Sequence, residues 1–187
     1  MKTIGQLCDW QIRELCEGDH SMISPFVPHQ VREENGERIV SYGLSSAGYD
    51  IRCQPVWSRS IDAAAIPCFE DRQETFRMPT YVLRPGEMML TTSVETFGMP
   101  DGVMGVCVGK STWARLGLFV NVTPLEPGWR GELTIELSNI SHRAIVVQAG
   151  VGIAQILFIA LAGVPEVTYA DRNGKYQNQT GVTGAKL

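Results

Sequence analysis

The sequence predicts a mainly β protein, an antiparallel sandwich or barrel with few helices. Its 19 glycines and 10 prolines in 187 residues exceed the usual share, which favours many turns and short strands over a helical bundle. From Thr80 onward, short apolar runs alternate with Gly, Pro and Asp turn signals at close intervals. In one of these runs Leu133, Ile135 and Leu137 alternate with Thr134, Glu136 and Ser138, the period of a strand with two unlike faces. A chain of 187 residues suits one core and is short for two, so residues 1–187 are read as one domain.

In chain order, the N-terminus predicts an amphipathic helix on the outside of a sheet. Thr3 with Gln6 makes a capping box, Ile4, Leu7, Cys8, Ile12 and Leu15 recur at helical spacing, and Gly18 can stop it. Ser24 to Ala47 is polar and turn-rich, and Gly48-Tyr49-Asp50-Ile51-Arg52 makes a short strand after it. Trp57 to Pro79 looks like loop. Tyr81-Val82-Leu83, the turn Arg84-Pro85-Gly86-Glu87 and Met88 to Thr96 form strand, turn, strand, stopped at Met99-Pro100-Asp101-Gly102. Strands follow at Val103 to Val108, Phe119 to Thr123, Glu132 to Ser138, Ala144 to Gln148 and Val151 to Ala160, with one short helix at Ser111 to Leu116. Residues 171–187 are polar and glycine-punctuated, a segment expected to be mobile until something orders it.

Composition and charge narrow the function. With 44% hydrophobic and 19% charged residues the chain is expected to fold, and its net charge of −4 gives no basic field for long nucleic acids. A polyanionic ligand would need a local cluster. No apolar run reaches the roughly 20 residues that span a bilayer, and the first residues carry no signal-peptide pattern. Five scattered cysteines (Cys8, Cys16, Cys53, Cys68 and Cys107) without a C-x-x-C pair suit free thiols in a reducing cytoplasm.

Three segments carry candidate chemistry. Gly109-Lys110-Ser111-Thr112-Trp113-Ala114-Arg115 offers backbone donors, hydroxyls and two cations where a strand meets a helix, a set suited to phosphate. It is not a P-loop, because Met104 stands where the first glycine is required. A surface turn capped by Ser111 is the plainer alternative. Glu136 is either a solvated glutamate on an amphipathic strand or, if that face lines a cleft, a proton shuttle that Arg115 could orient. The turn from Pro124 to Gly131 is a rigid hairpin with Trp129 packed beneath it. A nucleobase-deaminase zinc site is not expected, since His20, His29 and His142 lie far apart and Pro67-Cys68 lacks a second cysteine three residues on. No G-x-S-x-G supports a serine hydrolase either.

Taken together, the run GKSTWARLGLFVNVTPLEPGWRGELTIELSN, then AGVGIAQILF, then Asn173-Gly174-Lys175-Tyr176-Gln177-Asn178-Gln179, with Ile23-Ser24-Pro25-Phe26 and Gly48 to Arg52 upstream, resembles the dCTP deaminase family of the dUTPase-like superfamily. The resemblance spans nearly the whole chain. It implies a distorted β-barrel or jelly-roll with an N-terminal helix and a few short helices, a homotrimer with active sites between subunits, and a closing segment at 171–187. The implied activity is zinc-free deamination of dCTP to dUTP and ammonia, supplying dUTP toward dUMP and dTTP, with Mg²⁺ carried by the triphosphate and dTTP as an inhibitor.

By position, the resemblance puts Lys110, Ser111, Thr112, Trp113, Ala114 and Arg115 in the phosphate and active-site segment. Glu136 would be the acid/base, with Ser111 and the Pro124 carbonyl holding water and Arg115 orienting the carboxylate. Thr134 and Ile135 would lie along the nucleotide, and Gln155, Tyr169, Lys175 and Gln179 would contact it. Two departures stand out: the hairpin carries Glu126 where dUTPases use an aspartate, and Thr180 occupies a place often held by Arg or Gln. The rival readings are a dUTPase, a bifunctional enzyme that also removes pyrophosphate, and a non-catalytic nucleotide-binding trimer.

Overall fold

The chain enters its own sheet before it forms a helix. A computed structural model describes residues 4–18, 20–62 and 72–186; Thr3 and Cys68 lie outside them. Strand β1 (Gly5–Gln6) pairs at Gln6 with Ile159, and Leu7 N–H donates to Phe158 O at 2.8 Å. Helix α1 (Asp9–Cys16) therefore starts later than the Thr3 to Gln6 pattern predicts. Its first turn is closed by the Gln11 side chain, which accepts the Cys8 N–H at 3.1 Å. Ile12 and Cys16 turn inward.

Strand β2 (Ile23–Ser24) is followed by β3 (Gln30–Glu34) and β4 (Glu37–Ser45), inside the stretch that reads as turn-rich. Residues 32–38 are exposed throughout, so this hairpin shows no hydrophobic alternation. Its mark is the two-residue loop Asn35-Gly36, with φ of 51° and 81°, the geometry of a type I′ turn. Strand β5 (Gly48–Arg52) falls as expected. Strands β6 (Val56–Ser60) and β7 (Gln73–Arg77) replace the expected loop, with Trp57 fully buried and its indole N–H donating to Met78 O at 2.9 Å.

The later elements match the sequence closely: β8 (Thr80–Leu83), β9 (Met88–Gly98), β10 (Val103–Gly109), α2 (Ser111–Leu116), β11 (Leu118–Asn121), β12 (Arg130–Asn139), β13 (Ile145–Gln148) and β14 (Gly152–Ala160). One connection differs. Strands β8 and β9 flank a tight turn yet do not pair, because β8 pairs with β13 in a separate ribbon.

Two six-stranded antiparallel sheets result. One runs β1-β14-β5-β4-β3, with β10 along the other edge of β14; the second runs β11-β12-β9-β6-β7, with β2 on β9. Ile51, Ile153, Ile156 and Phe158 of the first and Trp57, Phe97, Ile135 and Leu137 of the second bury their side chains in a shared core. The protein is mainly β with few helices, as the sequence predicts. Burial pushes the free thiols of Cys16, Cys53 and Cys107 up to about 12, so all three stay protonated at neutral pH. Among the described residues no helix is long and apolar enough to cross a membrane.

Candidate active site

Strand alternation decides what β12 offers. Gly131, Leu133, Ile135, Leu137 and Asn139 are buried, while Glu132, Thr134, Glu136 and Ser138 occupy the half-buried opposite face. Thr134 and Glu136 open into a cavity of about 750 Å³, within the range of small-molecule sites. Its walls come from Met88 and Leu90 of β9, the loop from Val122 to Pro127, and Tyr169, and the C-terminal segment adds Lys175, Tyr176, Gln179 and Thr183.

Glu136 brings a half-buried carboxyl to this cavity. The β11–β12 register sets it opposite Asn121, whose side-chain amide donates to Glu136 Oε2 at 3.2 Å. Burial raises the Glu136 carboxyl above its ordinary range, and the Asn121 and main-chain hydrogen bonds only partly oppose that shift. A carboxyl raised in this way holds its proton more readily than a solvated one, which suits a group that gives and takes protons. Asn121 escapes motif reading; its only signal is the alternation of Leu118 and Val120 against Phe119 and Asn121 before the hairpin. Cys107 feels the charge of Glu136, but burial is the larger cause of its raised value, which leaves it a protonated thiol.

The hairpin and tail complete the walls. Trp129 is buried and its indole N–H donates to Tyr176 O at 3.0 Å. The Tyr169 hydroxyl accepts the Tyr176 N–H at 3.0 Å, and Gly174 packs against the Tyr169 ring, where a Cβ would come within 2.1 Å of it. Glu126 lines the cavity and pairs with Arg172, which also sits over the Tyr169 ring. Lys175 lines the cavity with its ammonium donating to Lys186 O at 2.6 Å.

Of the residues expected at the site, Thr134, Glu136, Tyr169, Lys175 and Gln179 meet in this cavity. Ile135 is on the same strand, but its side chain is fully buried in the core. The segment from Lys110 to Arg115 does not line the cavity. Ser111, Thr112, Ala114 and Arg115 are exposed on α2, while Trp113 is buried and anchors the helix through its N–H to Gly152 O at 2.8 Å. Lys110 turns inward: its ammonium pairs with the buried Asp50 carboxylate and reaches Ser41 Oγ at 3.3 Å. Gln30 donates to the same Asp50 oxygen at 3.0 Å. Gln155 lies on β14 opposite Asp50 and Val108, its amide donating to Ser45 Oγ at 3.1 Å.

Known proteins give this arrangement a family. The family model for dCTP deaminase-like proteins matches residues 6–161. The chain is 44% identical over 180 residues to a dCTP deaminase of Paracidovorax citrulli, covering 94% of this chain and 95% of that one. It is 44% identical over 181 residues to a dCTP deaminase of Acinetobacter baumannii, with the same coverage of 94% and 95%. Among solved structures, the crystal structure of a 2′-deoxycytidine 5′-triphosphate deaminase from Agrobacterium tumefaciens superposes with a TM-score of 0.63 at 22% identity, over 84% of this chain and 48% of that one. The chain thus spans about half the length of that structure, and the likeness is one of fold. By the family match and the 44% identity along most of its length, the chain belongs to the dCTP deaminase-like family.

Proposed function

We propose that this protein hydrolyses dCTP to dUTP and ammonia, with Glu136 as the group that moves the protons. The observation that carries the reading is the half-buried Glu136 carboxyl, raised by burial and steadied by Asn121, at the floor of a cavity of nucleotide size. In the proposed reaction a water oxygen bonds to C4 of cytosine as Glu136 takes a proton from that water. The proton passes to N3 and a tetrahedral intermediate forms. Glu136 then takes the remaining hydroxyl proton as the C4–oxygen double bond forms and delivers a proton to the amino group, so that the C4–N bond breaks and ammonia leaves. Such acid–base work contributes typically about 10²–10⁴-fold in rate.

The triphosphate and the orientation of the carboxylate need cations and hydroxyls, and α2 carries them in the exposed Ser111, Thr112 and Arg115. We place these residues at the Glu136 cavity of a neighbouring copy, in a homotrimer. Two features support this reading. The polar side chains of the helix are exposed and do not line its own cavity, and the open face beside Glu136 carries exposed Phe119 and Met88 in one cross-strand row with Ser138. The C-terminal segment would close over bound nucleotide. Mg²⁺ would arrive on the triphosphate; among the described residues no three His, Cys, Asp or Glu side chains group as a cage, so its ligands would be phosphate oxygens and water. Independence from zinc rests on the missing H-x-E and P-C-x-x-C signatures. Inhibition by dTTP would follow from the same pocket accepting a pyrimidine triphosphate.

The test is incubation of purified protein with dCTP and Mg²⁺, with chromatographic separation of the products. Accumulation of dUTP with equimolar ammonia is expected. Formation of dUMP and pyrophosphate would assign the bifunctional reading, which Glu126 in the cavity wall keeps in play. Unchanged dCTP would overturn both.

A further inference from the structure

The C-terminal segment is bonded to the start of β12 along its length. Asn178 N–H donates to Arg130 O at 2.8 Å, Glu132 N–H donates to Gln179 O at 3.0 Å, and the Gln179 amide returns a bond to Glu132 O at 2.6 Å. Beyond Gln179, where the main-chain bridge to Gly131 ends, the hold passes to side chains. The Gly181 N–H donates to the Glu132 carboxylate at 2.8 Å, and Thr183 N–H donates to Thr134 Oγ1 at 3.1 Å.

The strip beneath the tail is shaped for it. Gly131 has φ of +144°, and a Cβ there would lie 2.8 Å from Gln179 O and 3.0 Å from Gln179 N, so any side chain would push the tail away. Glu132 is half-buried and does not line the cavity. A register shift between Glu132 and Thr134 leaves it opposite Thr96 in the ladder, yet its carboxylate reaches the Thr92 hydroxyl and the Gln54 amide, both at 3.3 Å. Gln54 is itself tied down, its N–H donating to Thr92 O at 2.8 Å and its side chain to Ser93 O at 3.0 Å. A carboxylate pinned by two donors, one on β9 and one in the connection between β5 and β6, thus offers a fixed acceptor to one donor of the tail.

We infer that Glu132 is a positioning residue, a latch that holds residues 179–184 across the Glu136 cavity through the Gly181 N–H. The inference rests on the proposed nucleotide site for its effect on turnover, and on the hydrogen bonds alone for its effect on the tail. The tail held in this way supplies Gln179, Thr183 and Gly184 to the cavity wall. A hydrogen bond to a charged acceptor that is lost from the closed state shifts the open–closed balance by about tenfold or more. Apparent substrate affinity falls by the same factor once the closed state ceases to dominate.

The test compares the full chain with Glu132→Ala and Glu132→Gln by two readouts. The first is hydrogen exchange at the Gly181 and Thr183 amides without nucleotide. In Glu132→Ala both amides are expected to exchange about tenfold faster, and KM for dCTP is expected to rise about tenfold with a smaller change in kcat. Glu132→Gln retains an acceptor oxygen and is expected to stay closer to the parent in both readouts. Unchanged exchange in Glu132→Ala overturns the latch, as does a loss confined to kcat, or a Gln variant as defective as the Ala variant. If the parent fails to turn over dCTP while the exchange difference persists, the proposed reaction falls and the latch stands. If dCTP is turned over but neither exchange nor KM moves, the latch alone falls.

Discussion

The outer face of β12 and the segment from Lys110 to Arg115 contrast in how their chemistry is gathered. On β12, Thr134 and Glu136 lie two residues apart on one face and meet the hairpin and the tail in a single cavity. Lys110 to Arg115 packs more polar chemistry into fewer residues, yet the chain spends it in separate directions. Lys110 goes into a buried ion pair, Trp113 into the core, and the rest to the surface. Density of reactive residue types in a sequence is therefore no measure of their meeting in one subunit. We read the two regions as complementary halves, one holding the acid/base and one holding charge, each incomplete without another copy.

The contrast is broken most severely at Glu136. Glu136→Gln is expected to fold and bind nucleotide while single-turnover deamination falls about 10²–10⁴-fold. Turnover close to that of the parent would remove Glu136 from the mechanism. Lys110→Ala tests the other region, and its effect should appear in stability. Removing one partner of a buried pair leaves the Asp50 carboxylate without its cation, at a cost of about 3–5 kcal/mol. Thermal unfolding should show a large drop in Tm, and an unchanged Tm with weakened triphosphate binding would make Lys110 a phosphate ligand instead.

Gly131→Ala should displace the tail, because its Cβ would meet the Gln179 main chain and its φ suits glycine. Faster hydrogen exchange through residues 177–184 is the readout, and parental exchange rates would contradict the close approach. The smallest effect is the pH dependence of stability at Glu136. Its carboxyl is raised in the folded state, so the charged form is penalised by folding, and the penalty grows as pH rises through the folded value. Glu136→Gln should therefore be slightly more stable than the parent above neutral pH. The difference should vanish on acidification below the ordinary carboxylate range, where both states of the parent are protonated. A gain that grows toward acid pH would mean that the carboxylate is stabilised by folding.

How much of this was legible in the sequence differs between the same two regions. The face of β12 could be read directly, because Leu133, Ile135 and Leu137 alternate with Thr134 and Glu136 and the core takes the apolar set. The helix Ser111–Leu116 was legible as well, closed by Gly117 in the left-handed conformation. What failed was non-local. The Thr3 to Gln6 pattern favours a helix start, but pairing of β1 with β14 overrides it. The β3–β4 hairpin stands in solvent at its tip and so lacks the alternation that marks half-buried strands; Asn35-Gly36 was its only signal. Alternation puts Asn121 on the outer face of its strand, but its pairing with Glu136 and the reach of Glu132 come from register and a ladder irregularity, which no local pattern encodes.

We propose that the two regions complete one site only between copies. Glu136→Gln and Arg115→Ala, each inactive alone, should regain dUTP formation when unfolded together and refolded as mixed oligomers. In a random equal mixture about a quarter of interfaces would pair an intact Glu136 with an intact Arg115. Activity near a quarter of the parent's is the expected result. Mixed oligomers as inactive as either variant would contradict the account, because Glu136 and Arg115 would then have to serve the same site from the same chain.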